Sequence, residues 1–161
     1  MHLALLFLLL LSSFNLCAQE SEPSNKHFWH RVATTASPED IWSIWIDVSN
    51  WKQWDIGLQD AFIDDSFQLG AKGKIISLED RKAKFKIIEY IEGESYTYRV
   101  GLPFGSLSVR RFLEIMDGQT FFTHEVWFTG LTRGLFAKSL GKEFREMLPV
   151  VMENIKNIAE Q

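Results

Sequence analysis

The sequence predicts an α+β fold in which about seven antiparallel strands form a curved sheet wrapped around one long C-terminal helix. Leu140, Phe144, Leu148, Val151, Ile155 and Ile158 recur at steps of three and four, the stripe of an amphipathic helix, with Lys142, Glu143, Arg145, Glu146, Glu153, Asn154, Lys156 and Asn157 between them. Before that helix come runs of period-two alternation separated by very short turns, and neighbours joined so tightly must be antiparallel. A single amphipathic helix arriving after a run of strands needs a concave apolar sheet to lie in. At 161 residues the chain is one domain, long enough to bury a core without staples.

The first element is not part of that fold. Leu3 to Leu11 is an unbroken apolar run, too short for a bilayer core that needs about 20 residues but suited to a secretory h-region. Residues 1–18 therefore read as a signal peptide cleaved after Ala18, which sends the protein to the periplasm or outside the cell. Lipoprotein anchoring through Cys17 is the less favoured reading, because Leu16 stands where that signal wants Gly, Ala or Ser. Cys17 is also the only cysteine, so the mature chain has no disulfide, thiol nucleophile or thiolate metal site. Residues 19–26 form a polar tether, and Glu20 to Asn25 within it has no apolar periodicity and is expected to be disordered.

The folded domain is read as residues 27–161. Phe28, His30, Val32 and Thr34 alternate with Trp29, Arg31, Ala33 and Thr35 as a first strand. Ser37-Pro38-Glu39-Asp40 opens a helix, with Ser37 as cap, Pro38 in the first turn and Asp40 three residues on. Ile41, Trp42, Ile44, Trp45 and Val48 are its buried side, and Asn50 to Trp54 is a second short helix ending before Gly57. Both are expected to pack under the sheet rather than cover it. From Ala61 on, strand follows strand: one up to the turn at Gly70 to Gly73, then Lys74 to Leu78, Ala83 to Ile91, Ser95 to Leu102, Ser106 to Met116 and Gln119 to Thr129. A net charge of −4 excludes a nucleic-acid binder, because the nearest approach to a basic stripe, Lys82, Lys84 and Lys86, alternates as the solvent side of a strand.

The residues also carry a family resemblance. Ala-Ser-Pro-Glu-Asp-Ile-Trp at 36–42, Asp47, Trp51, Trp54, Gly70, Gly73, Asp117-Gly118, Thr123-His124, Gly130 and a last helix containing Pro149 resemble the START/pollen-allergen superfamily of helix-grip folds (SRPBCC), and within it the polyketide cyclase/dehydratase-like group. The likeness spans Phe28 to Ala159, with element order β-α-α-β6-α. It is specific for the fold and weak for function, since such proteins include lipid carriers, receptors, cyclases and chaperone-activating modules.

The resemblance implies a cavity between sheet and last helix. Alternation supplies its lining: Tyr96, Tyr98, Val100 and Leu102 on one strand, and Phe122, His124, Val126 and Phe128 on the last. Phe85 and Ile87 join them, with Ile88 and Tyr90 competing for the same face, and Leu140 and Phe144 close it from the helix. In this topology Leu102, Phe104, Leu131, Leu135 and Phe136 gather at one end as a hydrophobic mouth, beside Arg133 and Lys138, suited to transient membrane contact or to closing as a lid. The weak catalytic candidates are His124 and Arg111, with Glu89 on a strand that could approach them, while Asp47 reads as structural. No pair of histidines has metal-ligand spacing, and no phosphate loop, nucleophile elbow or dinucleotide fingerprint occurs, so neither metal nor cofactor is expected.

Three functions follow from this reading. The first is an exported binding protein for a lipid or other hydrophobic small molecule. The alternatives are a cyclase/dehydratase-type enzyme using His124 and Arg111, which export disfavours, and a ligand-free protein-interaction module.

Overall fold

The computed structural model describes residues 23–161; the signal peptide expected at residues 1–18, Cys17 and the first part of the expected tether lie outside the described residues. The elements are β1 (His27–Thr34), α1 (Pro38–Ile46), a 3-10 segment (Val48–Gln53), β2 (Leu58–Ile63), β3 (Lys72–Ser77), β4 (Lys82–Ile91), β5 (Ser95–Leu102), β6 (Gly105–Met116), β7 (Gln119–Gly130), α2 (Arg133–Lys138) and α3 (Leu140–Ala159). The seven strands form one antiparallel sheet in the order β1-β7-β6-β5-β4-β3-β2, so the first strand pairs with the last.

Local chemistry explains the boundaries. Ser37 accepts a hydrogen bond from the Asp40 amide at 3.1 Å, and Asp40 returns one from the Ser37 amide at 3.2 Å, a reciprocal cap that starts α1. Asp117 and Gly118 sit at φ of 51° and 77°, the pair of left-handed residues that a two-residue hairpin requires. Asp47 accepts from Ser49 Oγ at 2.7 Å and Asn50 Nδ2 at 2.6 Å, which holds its carboxyl below the usual range and fixes the turn from α1 into the 3-10 segment.

Four readings of the sequence change here. A register shift between Ile87 and Glu89 resolves the contest on β4: Phe85 and Ile87 face the core before it, Tyr90 meets Trp42 and Phe67 after it, and Glu89 turns outward to Thr97. Ahead of α3, the stretch carrying Leu135 and Phe136 is a short helix of its own, α2, set apart because at Ser139 the backbone leaves helical geometry (φ −90°, ψ −84°) and its hydroxyl donates to the Leu135 carbonyl at 3.2 Å. The short helices do not lie under the sheet. Trp45 of α1 meets Tyr96, Phe122 and His124, and Trp51 meets Phe85 and Tyr98, so both elements cover one end of the concave face. The end of the tether is tied down, with Ser24 bridged to His27, the Lys26 carbonyl accepting from the Phe128 amide at 2.9 Å, and the Asn25 carbonyl accepting from Arg145 at 3.0 Å.

Against that concave face α3 buries Gly141, Leu148, Val151, Met152 and Ile155, while Leu140, Phe144 and Ile158 are half-buried along its edge. Its far end is clipped to β1, where the Glu160 carboxylate accepts from Thr34 Oγ1 at 2.7 Å and the Thr35 amide at 2.9 Å. No helix among the described residues is long and apolar enough to cross a membrane.

Candidate functional site

Strand alternation puts Leu107, Val109 and Arg111 of β6 on the same face as Phe122, His124 and Val126 of β7 and Tyr96, Tyr98 and Val100 of β5. The register then aligns them in rows across the sheet. Tyr98, Val109, Val126 and Phe28 make one row of β5, β6, β7 and β1 partners, and Tyr96, Arg111, His124 and His30 make the next. Apart from the Thr34–Thr120 pair near one end, the concave face is otherwise apolar or aromatic, and this second row is polar from strand to strand.

Arg111 is its centre. It is 2% exposed and donates to the Tyr96 hydroxyl. The Trp45 carbonyl accepts from that same hydroxyl at 3.4 Å and from Trp51 Nε1 at 2.8 Å, so α1, the 3-10 segment and β5 share one network. The guanidinium carbon lies 4.6 Å from the Trp51 ring centre and 4.7 Å from that of Trp54, with Tyr96 and Tyr98 at 5.6 and 5.5 Å. Asn154 of α3 donates to the Trp54 carbonyl at 3.1 Å and locks that wall to the helix.

Four buried polar atoms of this cluster have no partner: Arg111 Nε, His124 Nε2, Trp45 Nε1 and Trp54 Nε1. Each such atom costs about 1–3 kcal/mol of desolvation, so the arrangement is expensive for a purely structural core. Electrostatics sharpen it. Burial, then the Arg111 charge and His30, hold the His124 imidazole well below its usual range and therefore neutral at pH 7. Burial pushes the Tyr98 phenol up to about 12, and Tyr96 higher still, so both remain protonated. Asp55, half-buried after the 3-10 segment, is also raised by burial, against the opposing pull of the Gly57 amide and Arg111. A charged donor, two indole donors and a neutral imidazole can together hold and polarise an acceptor oxygen.

The pocket residues expected from the sequence are brought together: Phe85, Tyr96, Tyr98, Val100, Phe122, His124, Val126 and Phe128 all lie on the concave side and are buried. Leu140 and Phe144 stand at the edge of the cluster. The space between them is not open. Trp45, Trp51 and Trp54 turn into it against Tyr96, Tyr98, Phe85 and Phe122, and the lining side chains are almost wholly buried. The expected open cavity is thus corrected to an aromatic-filled interior, because the tryptophans of α1 and the 3-10 segment face inward. Glu89 does not reach the site, since it lies on the opposite face with Thr97. His30 and the tryptophan box were missed. The alternation of β1 already placed His30 inward, but nothing periodic in Trp45-to-Trp54 shows what those rings meet.

At the β5–β6 end, the expected mouth divides. Phe104, Leu131 and Leu135 are 80%, 91% and 68% exposed, whereas Leu102 and Phe136 are half-buried against the core. The exposed tips are held rigidly. The Leu131 amide donates to the Phe104 carbonyl at 2.9 Å, and Thr132 Oγ1 donates to the Pro103 carbonyl at 2.6 Å. A Cβ on Gly130 (φ 86°) would come within 2.4 Å of the Phe104 carbonyl oxygen, and one on Gly105 within 2.4 Å of that of Thr129, so both positions demand glycine. Phe104 itself sits at φ 55°, unusual for an aromatic. Beside these tips lies an open depression of about 580 Å³ lined by Lys26, Phe104, Gly130, Leu131, Arg133 and Gly134. Among the described residues none of Lys26, Arg133 and Lys138 is ion-paired, and no group of three potential metal ligands occurs.

A curled seven-stranded antiparallel sheet gripping a long last helix defines the class: the chain has a helix-grip fold. Neither a family model nor a curated protein sequence matches the chain. Solved structures do. One domain-sized part of the di-domain ARO/CYC StfQ from the steffimycin biosynthetic pathway superposes with a TM-score of 0.69 at 9% identity, over 84% of this chain and 51% of that one. Ara h 8.0201 gives 0.64 at 15% identity over 83% and 96%, and the Aha1 dimer from Colwellia psychrerythraea gives 0.63 at 17% identity over the same shares. At these identities the likeness establishes the fold alone.

Proposed function

We propose that this protein is an exported carrier of a lipid or other hydrophobic small molecule, which it exchanges at an anionic membrane surface. The observation that supports it is the mouth: three large apolar side chains, held out by rigid loops around a depression flanked by unpaired cations on a chain that is acidic overall. Exposed apolar tips enter the boundary between head groups and acyl chains while neighbouring cations meet anionic head groups. The concave face behind the mouth supplies the aromatic surface for the cargo. Export rests on the leader at residues 1–18.

The test is flotation of the mature chain with phosphatidylglycerol vesicles, followed by uptake of the apolar dye N-phenyl-1-naphthylamine. Wild type is expected to float and to take up dye. Phe104→Ser/Leu131→Ser is expected to stay at the bottom of the gradient while retaining its fold. Equal flotation of the two proteins removes the membrane step. The filled interior favours a second reading, a ligand-free interaction module, which failure of wild type to bind the dye or any other apolar probe would support.

A further inference from the structure

We propose that the polar row centred on Arg111 is the seat of a carboxylate head group at the end of an apolar molecule. The inference rests on the carrier reading and adds the chemistry of the cargo. Among the described residues no carboxylate lies within ion-pair distance of Arg111. Asp55 acts on it only at longer range and is itself pushed toward the neutral form by burial. Among the described residues the buried positive charge therefore has no anion in ion-pair contact with it.

The aromatic box does not remove the need for one. Trp51 and Trp54 lie over the guanidinium at 4.6 and 4.7 Å between centres, and a ring in that position interacts with the charge through its face. Hydrogen bonds leave a guanidinium through its edge. One edge nitrogen already serves Tyr96, while Nε keeps its N–H unused. The indole N–H groups of Trp45 and Trp54 are unused as well, and both rings lie against His124, with centres at 5.5 and 6.3 Å. The unmet groups are a charged N–H and two groups that can only donate, with a neutral imidazole beside them. Their shared complement is an anionic acceptor, and a carboxylate meets both the charge and the donors.

The position sets the rest of the ligand. From Arg111 the inward side chains of β6 run through Val109 and Leu107 to Gly105 at the mouth, a span of six residues or about 20 Å at ~3.4 Å per residue. Everything along that path on β5, β6 and β7 is apolar or aromatic: Tyr98, Val100, Val126 and Phe128 complete it. A carboxylate held at Arg111 thus points its apolar tail toward Phe104 and Leu131.

The experiment titrates the full mature chain with octanoate and, separately, with octan-1-ol, following heat of binding and the indole N–H resonances of Trp45 and Trp54. Octanoate is expected to bind at least tenfold more tightly than octan-1-ol and to move both resonances downfield. Arg111→Met is expected to abolish the preference, and Arg111→Lys to retain part of it. If both molecules bind wild type equally with the two resonances unmoved, the carboxylate seat is overturned and the carrier reading stands. If neither octanoate, octan-1-ol nor N-phenyl-1-naphthylamine binds, both fall together. The comparison of octanoate with octan-1-ol is made on wild type, so it holds even where Arg111→Met folds poorly.

Discussion

The concave row around Arg111 and the mouth around Phe104 invert the usual placement of side chains in opposite ways. In the first, donors and a charge are buried among rings with several N–H groups unused. In the second, apolar side chains stand in water on loops that hydrogen bonds and glycines hold in place. Both inversions oppose folding or solubility, and both sit on rigid scaffolding. The difference is where the opposition falls. The interior row costs stability, because its polar atoms have left water without full partners. Among the described residues the mouth leaves no buried side-chain polar atom unmet and instead exposes a surface that seeks an apolar neighbour.

That contrast can be broken first in the interior. Trp51→Ala removes a fully buried ring stacked on Phe85 and placed over Arg111, and a loss of about 3–5 kcal/mol is expected by chemical denaturation. A loss below about 1 kcal/mol would mean that the interior re-closes around the gap and is no fixed core. Gly105→Ala comes next. Its new methyl would meet the Thr129 carbonyl, so the hairpin must shift, and a loss of about 1–3 kcal/mol is expected together with weaker vesicle binding.

Protonation sharpens the comparison without touching the packing. His124 is held neutral in the folded state by burial and by Arg111. In the unfolded chain it takes up a proton below its ordinary value of 6.5, so stability is expected to fall as pH drops below that value. Asp55 runs the other way. Its raised folded value gives stability that is present below 3.8 and lost as pH rises through the folded value. Thermal melts from pH 7 to 5 in an Asp55→Asn background isolate the histidine, and His124→Gln is expected to flatten the curve. An unchanged slope would place the titrating group elsewhere.

Smaller effects are expected from the two residues that define the inversions. Arg111→Met exchanges a charge with unused donors for an apolar chain of similar length, and stability is expected to change by less than about 1 kcal/mol or to rise. A large loss would make the Trp51–Arg111–Trp54 stack a structural pillar. Phe104→Ser is expected to shift stability by no more than about 0.5 kcal/mol, while vesicle binding falls. Agreement of both would show that each site is kept for something other than stability.

Much of the architecture was legible because it follows from local periodicity. The alternation of Tyr96 to Leu102 and of Phe122 to Phe128, the Ser37–Asp40 cap and the Asp117-Gly118 turn each depend on residues close in sequence. The short helix α2 was not legible, since the apolar stripe of the last helix begins only at Leu140 and a local hydroxyl bond at Ser139 sets the two apart. Arg111 and His124 stood out as polar residues at inward positions. Their direct pairing, and the rings that enclose Arg111, depend on register and on where two short helices come to rest. Period two assigns a face to a side chain but says nothing about what covers that face, which is why the filled interior was not foreseen.

Pairing the first strand with the last sets a timetable for biosynthesis. Among the described residues β1 finds its one strand neighbour in β7, from Thr120 to Trp127, so nearly the whole chain must emerge before that edge is satisfied. Until then the indoles that α1 presents have neither Phe122 nor His124 to meet, and α3 has no finished trough. A nascent chain of this topology keeps apolar surface uncovered through most of its synthesis, up to its final helix.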